Sequence, residues 1–384
     1  MQTLQDIFSK TNMLEASKRI RKSNAAGLDG ISPKLVPTLI DNEYDTILKN
    51  IVNGTYTPEK ARTYGKRKTN GGIRTIAINS AIDRCIIACL YQNLYDIITP
   101  VLTEHTYAYI KNRGCIEAIR TLARLAKDGY TYFAKIDIEK CFDNIKHDMI
   151  LFKLKKLGIH DDVLRIINKL LKMDYDNAER HDILGCPQGS ATSPILMELV
   201  LDSLDKELMR RHLQFIRYAD DIIVAYKSKE AAKHGLLSIT KILYKKCKLR
   251  PNGKSQVHSI SEGVPVLGYV IYNDTNGAVH LKPKEAKLKD LYDKLHDLTN
   301  SHHRTEVIIY KMNCIIRGWL TYFRHAEISE MTLEIDETIE QLLTRLEAKR
   351  GDSIDRSKLI SCNTLYSQLY RPLQPMTSIH LPFC

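Results

Sequence analysis

Apolar residues recur along this chain with two periods, near 3.6 and near 2, and the switches between them lay out its elements. Residues 1–60 read mostly as helix: Leu14, Ala16 and Ile20, then Leu35, Leu39 and Ile40, mark apolar faces on either side of the turn Gly27-Leu28-Asp29-Gly30. Over 61–78 a basic stretch, an Asn70-Gly71-Gly72 tip and then Ile73, Ile76 and Ile78 predict a β-hairpin with cationic flanks. Helices are expected from about Ala81 to Ile98, stopped by Pro100, and over 115–128. Tyr132 to Ile138 reads as a strand whose last polar residue is Asp137. Helices over roughly 146–173 and from Ser193 to about Arg211 bracket the loop Gly185-Cys186-Pro187-Gln188-Gly189.

The stretch Gln214 to Tyr226, QFIRYADDIIVAY, predicts two short strands joined by a tight turn at Ala219-Asp220-Asp221. A basic helix is expected over 229–248 and strand again over 264–272. From 283 to 323 the pattern is helical and basic; from Glu327 to Glu340 it is still amphipathic, yet holds six carboxylates and no Lys or Arg. Beyond Gly351 the chain reads as irregular. These shifts set expected boundaries at 1–105, 106–278, 279–326 and 327–384.

The length of 384 residues and 43% hydrophobic content allow two or three domains with sizeable cores, and a formal charge of +12 points to a polyanionic partner. The nine cysteines form no C-x-x-C pair and sit mostly in apolar segments, so reduced thiols are expected rather than disulfides or zinc ligands. No signal segment and no apolar run of about 18 residues is present, which predicts a cytoplasmic protein without a membrane span.

Chemistry enters through the Asp220-Asp221 pair. Two adjacent carboxylates between hydrophobic arms are costly unless something positive neutralises them, and hard divalent cations are the usual answer. An Asp-rich hairpin turn is the plain alternative. Asp137 adds a third carboxylate if its strand pairs with the hairpin; three carboxylates can hold two ions for in-line phosphoryl transfer, although a strand-end Asp also commonly caps the next helix. Phe142, five residues on, can sit against a sugar or fill a core. Gln188 lies on a glycine-flanked loop within reach of a nucleotide, and Lys68 and Arg74 flank the hairpin tip, where they can face a triphosphate or simply be solvated.

Three segments then carry a resemblance. FAKIDIEKCFDNIKHD, GCPQGSATSP and FIRYADDIIVAY, in this order and spacing, resemble the palm motifs of reverse transcriptases, closest to the group II intron type. NMLEASKRIRKSNAAGLDGI resembles that family's N-terminal extension, YGKRKTNGGIRTIAINSAIDRCIIACL its fingers and TYAYIKNRGCIEAI its template-contacting segment. LRPNGKSQV and PVLGYVIY are similar to its later palm and primer-grip motifs, and IIRGWLTYFR to its thumb signature. The resemblance covers roughly residues 5–325. It implies an α/β right-hand polymerase with N-terminal extension and fingers over 1–105, a palm with an antiparallel sheet over 106–278, a helical thumb over 279–326, and an acidic helix and tail after it. Asp137, Asp220 and Asp221, with the backbone of Ile138, would hold two Mg²⁺ ions, for which Mn²⁺ can substitute. Phe142 would exclude a 2′-hydroxyl; Lys68, Arg74, Gln188 and Lys254 would contact the incoming dNTP. Arg113, Lys284, Arg317 and Arg324 would follow the RNA template and RNA–DNA hybrid through phosphates and shape. Trp319 is expected to anchor thumb packing.

The chain departs from the family pattern twice. Ala108-Tyr109-Ile110-Lys111 stands where the family often has Gly-Phe-Arg-Pro, and an acidic helix stands where intron-encoded enzymes usually carry a basic DNA-binding segment. The expected activity is RNA-directed DNA synthesis by a stand-alone enzyme paired with its own noncoding RNA, as in antiphage defence, with oligomerisation open. A group II intron maturase, an RNA-dependent RNA polymerase and a non-catalytic structured-RNA-binding protein are the alternatives; a large ring at Phe142 argues against the RNA polymerase.

Overall fold

The computed structural model describes residues 3–20, 25–67, 72–176, 184–351 and 353–372. Two compact units emerge from the chain, one of Met1–Gly114, Lys135–Val224 and Lys233–Gln256, the other of Cys115–Ala134, Ala225–Ala232 and Val257–Cys384.

In order, the elements are α1 (Leu4–Ile7), α2 (Lys10–Ile20), α3 (Val36–Val52), β1 (Arg62–Arg67), β2 (Ile73–Ile78), α4 (Ala81–Ile98), α5 (Cys115–Lys127), β3 (Tyr132–Asp137), α6 (Cys141–Asn144), α7 (His147–Lys156), α8 (Asp161–Leu171) and α9 (Ser193–Arg210). They continue with β4 (Gln214–Tyr218), β5 (Asp221–Tyr226), α10 (Lys229–Cys247), β6 (Gln256–Ser259), β7 (Val264–Val266), β8 (Tyr269–Asn273), β9 (Val279–Pro283), α11 (Glu285–Thr299), α12 (Thr305–Phe323), α13 (Ser329–Arg350) and α14 (Cys362–Leu369). The class is mixed helix and antiparallel sheet, as expected.

The four-stranded sheet has the order β4-β5-β3-β6, which seats the strand ending at Asp137 beside the strand beginning at Asp221. Its strands alternate poorly because both faces are covered: Phe215, Ile216, Ile222, Ile223 and Val224 are all buried. Helices α4 and α7 lie against α9 behind it. The β1–β2 hairpin is antiparallel and mostly exposed, with Ala77 its one buried strand residue. Its tip, 68–71, and therefore Lys68, lies outside the described residues.

In the second unit β7, β8 and β9 form an antiparallel sheet, and α11, α12, α13 and α14 pack on one another through Leu295, Met312, Ile316, Leu320, Ile335 and Leu343. Trp319 packs against Phe323 at 4.7 Å between centroids, its ring tilted by 50°, and donates Nε1 to the Lys287 carbonyl at 3.2 Å, the packing role expected of it. The stretch after Gly351 is not irregular. Asp336 of α13 accepts from Ser361 Oγ, Cys362 N and Asn363 N at 2.9, 2.6 and 3.1 Å, which satisfies the start of α14. A helix of eight residues has too short an apolar period to announce itself, although Ser361 caps it locally by accepting from Thr364 N at 3.3 Å. Among the described residues the eight cysteines are free, and no helix is long and apolar enough to cross a membrane.

Candidate active site

Asp137 closes β3, and its backbone is gripped by the turn that follows α10. Asn252 N donates to the Asp137 carbonyl at 2.8 Å, Ser255 Oγ accepts from Asp137 N at 3.1 Å, and Glu139 N donates to the Arg250 carbonyl at 2.9 Å. Lys254 sits exposed in that same turn, one residue from Ser255. Ile138 is buried and bridges Pro251. Ala219 takes the left-handed conformation at φ +55°, and this tight reversal sets Asp220 and Asp221 at the turn that joins β4 to β5.

The carboxyl of Asp220 is held above its usual range, first by burial and then by the negative charges of Asp221 and Asp137, while its own backbone N–H and Arg74 pull the other way. The strand that ends at Asp137 thus lies beside the strand that begins at Asp221, and the charges of Asp137 and of Arg74 on the exposed hairpin both act on Asp220. Lys135, on the same strand as Asp137, places Nζ 3.3 Å from Asp221 Oδ1 and supplies part of the missing positive charge. Hard oxygen donors that crowd one another fit a divalent cation. Among the described residues no three acidic, cysteine or histidine side chains already stand at metal-ligating spacing, so an ion would compete with Lys135 for Asp221.

Beside them, Lys140 at φ +42° turns the chain into α6, which carries Phe142 half-buried. The Phe142 carbonyl accepts from Cys186 N at 2.7 Å and the Ile145 carbonyl from Gly185 N at 2.7 Å, so the two loops are zipped together. Gln188 donates Nε2 to Asp143 Oδ1 at 3.1 Å, and its carbonyl accepts from Ala77 N of β2 at 2.7 Å. Gly189 has φ +115°, and a Cβ there would meet the Ala77 carbonyl oxygen at 2.3 Å, so only glycine lets loop and hairpin approach this closely. Phe142, Gln188 and Arg74 thus belong to one connected framework.

Across the hairpin, Lys66 lies directly opposite Arg74 in register. Like charges paired across strands are destabilising, an arrangement that suits a polyanion lying between them. Arg113 gives its Nη1 to the Thr103 and Thr106 carbonyls at 2.7 and 3.0 Å, so that group is engaged within its own loop. In the second unit Lys284 precedes α11 with its N–H on the Gly268 carbonyl at 2.8 Å, Arg317 is exposed on α12, and Arg324 is exposed beyond it with Nε 3.2 Å from His325 Nε2.

Residues 66–271 match the family described as "Reverse transcriptase (RNA-dependent DNA polymerase)", and residues 288–353 match "Group II intron, maturase-specific domain". The chain belongs to the reverse transcriptase family. The resemblance read from the palm motifs is borne out. The group II intron-encoded protein LtrA of Lactococcus lactis is 29% identical over 54% of this chain and 35% of its own length. The retron Ec73 reverse transcriptase of Escherichia coli is 28% identical over 46% of this chain and 57% of its own. Those shares mean that the chain spans little more than a third to a half of these relatives. A solved telomerase chain from Candida albicans, in complex with a fragment of telomeric RNA, superposes with a TM-score of 0.46 at 12% identity over 86% of this chain and 66% of that one. The maturase-specific match takes in α13, so the acidic helix lies inside the segment of this chain that matches that family.

Sequence reading missed several residues of this site. Lys135 was detectable as the residue two before Asp137, hence on the same face of the strand. Arg217, fully buried beneath the Asp220-Asp221 turn, had one signal: a cation between apolar strand residues, matched by Glu198 and Asp205 seven apart on α9. The carboxyl of Glu198 is pushed up to about 7 by burial, against the pull of Arg217. Tyr109, at φ +60° in the segment that departs from the family pattern, has its phenol raised by burial and then by Glu198 and Asp220, with Arg74 opposing.

Proposed function

We propose that this chain is an RNA-directed DNA polymerase that copies an RNA template into cDNA from dNTPs. One observation carries the reading: β3, which ends at Asp137, lies beside β5, which begins at Asp221, with Lys135 of β3 3.3 Å from the Asp221 carboxylate, beside the loop in which Gln188 is braced by Asp143. Asp137, Asp220, Asp221 and the carbonyl of Ile138 would hold two Mg²⁺ ions, which when bound supply positive charge to the oxygens of the transferring phosphoryl group.

The chain's own residues do the rest. Arg74, opposite Lys66 and with Lys68 near by in sequence, draws the triphosphate to the hairpin; Lys254, in the turn that grips Asp137, faces the departing pyrophosphate. Phe142 stands against the deoxyribose and leaves no room for a 2′-hydroxyl, while Gln188, braced by Asp143 and β2, orients the nucleotide. Arg113, Lys284, Arg317 and Arg324 track template and hybrid phosphates. Primer extension on an RNA template, wild type against Asp220→Asn, is the test: cDNA from the first and none from the second supports the reading, and RNA binding without extension by wild type replaces it with an RNA-binding scaffold.

As to which RNA is copied, a noncoding RNA made beside the gene and used in defence is one reading. The match of 288–353 to a maturase-specific segment favours a group II intron RNA as the second. Sequencing the RNA and cDNA that copurify separates them: flanking intron ends support the intron, a single abundant structured RNA the defence reading.

A further inference from the structure

Among the described residues Arg217 is the largest side chain buried completely, and it is charged. Its Nε donates to Asp205 Oδ1 and Oδ2 at 2.9 and 2.8 Å, and its Nη2 donates to Asp205 Oδ2 at 2.6 Å and to Thr106 Oγ1 at 3.2 Å. Nη1 pairs with Glu198 and also donates to the carbonyl of Ala219 at 3.1 Å. The Thr106 hydroxyl in turn donates to Asp205 Oδ2 at 3.0 Å. The backbone of Arg217 is held as well: its N–H donates to the His105 carbonyl at 2.8 Å and its carbonyl accepts from Tyr107 N at 2.9 Å.

Fold stability alone does not call for such a cluster. Burying a guanidinium with two carboxylates costs desolvation that well-packed apolar residues would avoid, and replacing such a triad is often neutral or stabilising. The bond to Ala219 is what a purely apolar filling could not supply. Ala219 is an alanine in the left-handed region at φ +55°, a conformation that L residues other than glycine adopt reluctantly. Its carbonyl oxygen and the N–H of Asp220 belong to one planar peptide unit, so fixing the oxygen fixes the direction of that N–H.

We propose that Arg217 is a positioning residue: by holding the Ala219 carbonyl it sets the peptide plane that aims Asp220 and Asp221, with Asp205, Glu198 and Thr106 fixing the guanidinium in turn. The role rests on the polymerase reading for its catalytic consequence but not for its structural one. The test combines Arg217→Met, Glu198→Gln and Asp205→Asn, a neutral filling of similar volume that can fold yet cannot hold Ala219. Hydrogen exchange over 214–226 is expected to quicken by roughly tenfold or more while other segments keep their rates. In primer extension kcat is expected to fall by about 100-fold, with KM for dNTP within roughly threefold of wild type. Unchanged exchange over 214–226 overturns the proposal, as does a kcat per titrated active site within roughly threefold of wild type, or a loss borne by KM. If the triple variant does not fold, Arg217→Lys, which keeps the charge but not the planar fork, is judged by the same measures. A wild-type chain that extends no primer sinks the polymerase reading, and the exchange comparison still decides the clamp.

Discussion

Where the unit containing Asp220 buries its charges, the unit containing α11–α14 keeps them at the surface and spends them on helix ends. In the first, Arg217, Asp205 and Glu198 are wholly out of water, and Asp220 is held protonation-prone by burial and then by the charges of Asp221 and Asp137. In the second, Asp336 caps α14, and Glu347 pairs with Arg356 while accepting from Ile354 N at 2.6 Å. Glu347 is accordingly drawn below its usual range by Arg356 and the Ile354 N–H, whereas burial raises Glu198. The same residue type is a structural fastener in one region and a strained, chemically poised group in the other. Water access decides which: a solvated carboxylate needs only a donor, a buried one needs a reason to be there.

The comparison breaks most sharply on removal of a carboxylate. Asp220→Asn should lower primer extension by on the order of 10³-fold without changing the melting temperature by more than a few degrees, measured as single-nucleotide incorporation against thermal unfolding. Comparable extension by this variant would remove the poised-carboxylate account. Next in size, Phe142→Ala should admit ribonucleotides, narrowing the dNTP preference by about 10- to 100-fold in kcat/KM. Unaltered discrimination would take the sugar-gating role from Phe142.

Acidity sharpens the contrast further. Glu198, raised to about 7 in the fold against a usual 4.5, keeps its proton longer in the folded than in the unfolded chain. Between those values the native state binds more protons, so stability is full below pH 4.5 and falls as pH rises through about 7, by on the order of 2–3 kcal/mol. Denaturant titrations from pH 5 to pH 8 should display that decline in wild type and a flatter curve in Glu198→Gln; parallel curves would refute it. In the other unit, Asp336→Ala should cost about 1–2 kcal/mol, seen as faster proteolysis after Gly351 with polymerisation unaffected. The smallest effect belongs to His280, whose pKa is raised first by its hydrogen bond to Glu327, with Asp274 adding. Its contribution is present at low pH and fades as pH rises past the usual 6.5, so Glu327→Gln should trim stability slightly at pH 6 and not at pH 9.

Much of the fold could be read residue by residue. The expected helix from Ala81 to Ile98 and strand from Tyr132 agree with α4 and β3, and the Gln214–Tyr226 stretch is the β4–β5 hairpin. β6, β9 and α14 escaped because four, five and eight residues carry too few apolar positions to establish a period.

What the order of residues determined alone was local and chemical: which segments are helix or strand, that Ala219-Asp220-Asp221 must turn, that Gly189 is free to adopt φ +115°, and that motifs in this sequence mark a reverse transcriptase. Tertiary structure alone decided the company each group keeps. Arg217 reads as one more cation of a basic chain until α9 and the 105–107 loop close over it, and Asp137 reads as a strand end until β3 lies against β5. The reason is physical. Backbone preference depends on neighbours in sequence, whereas burial and Coulomb interaction depend on neighbours in space, and those exist only once the chain has folded.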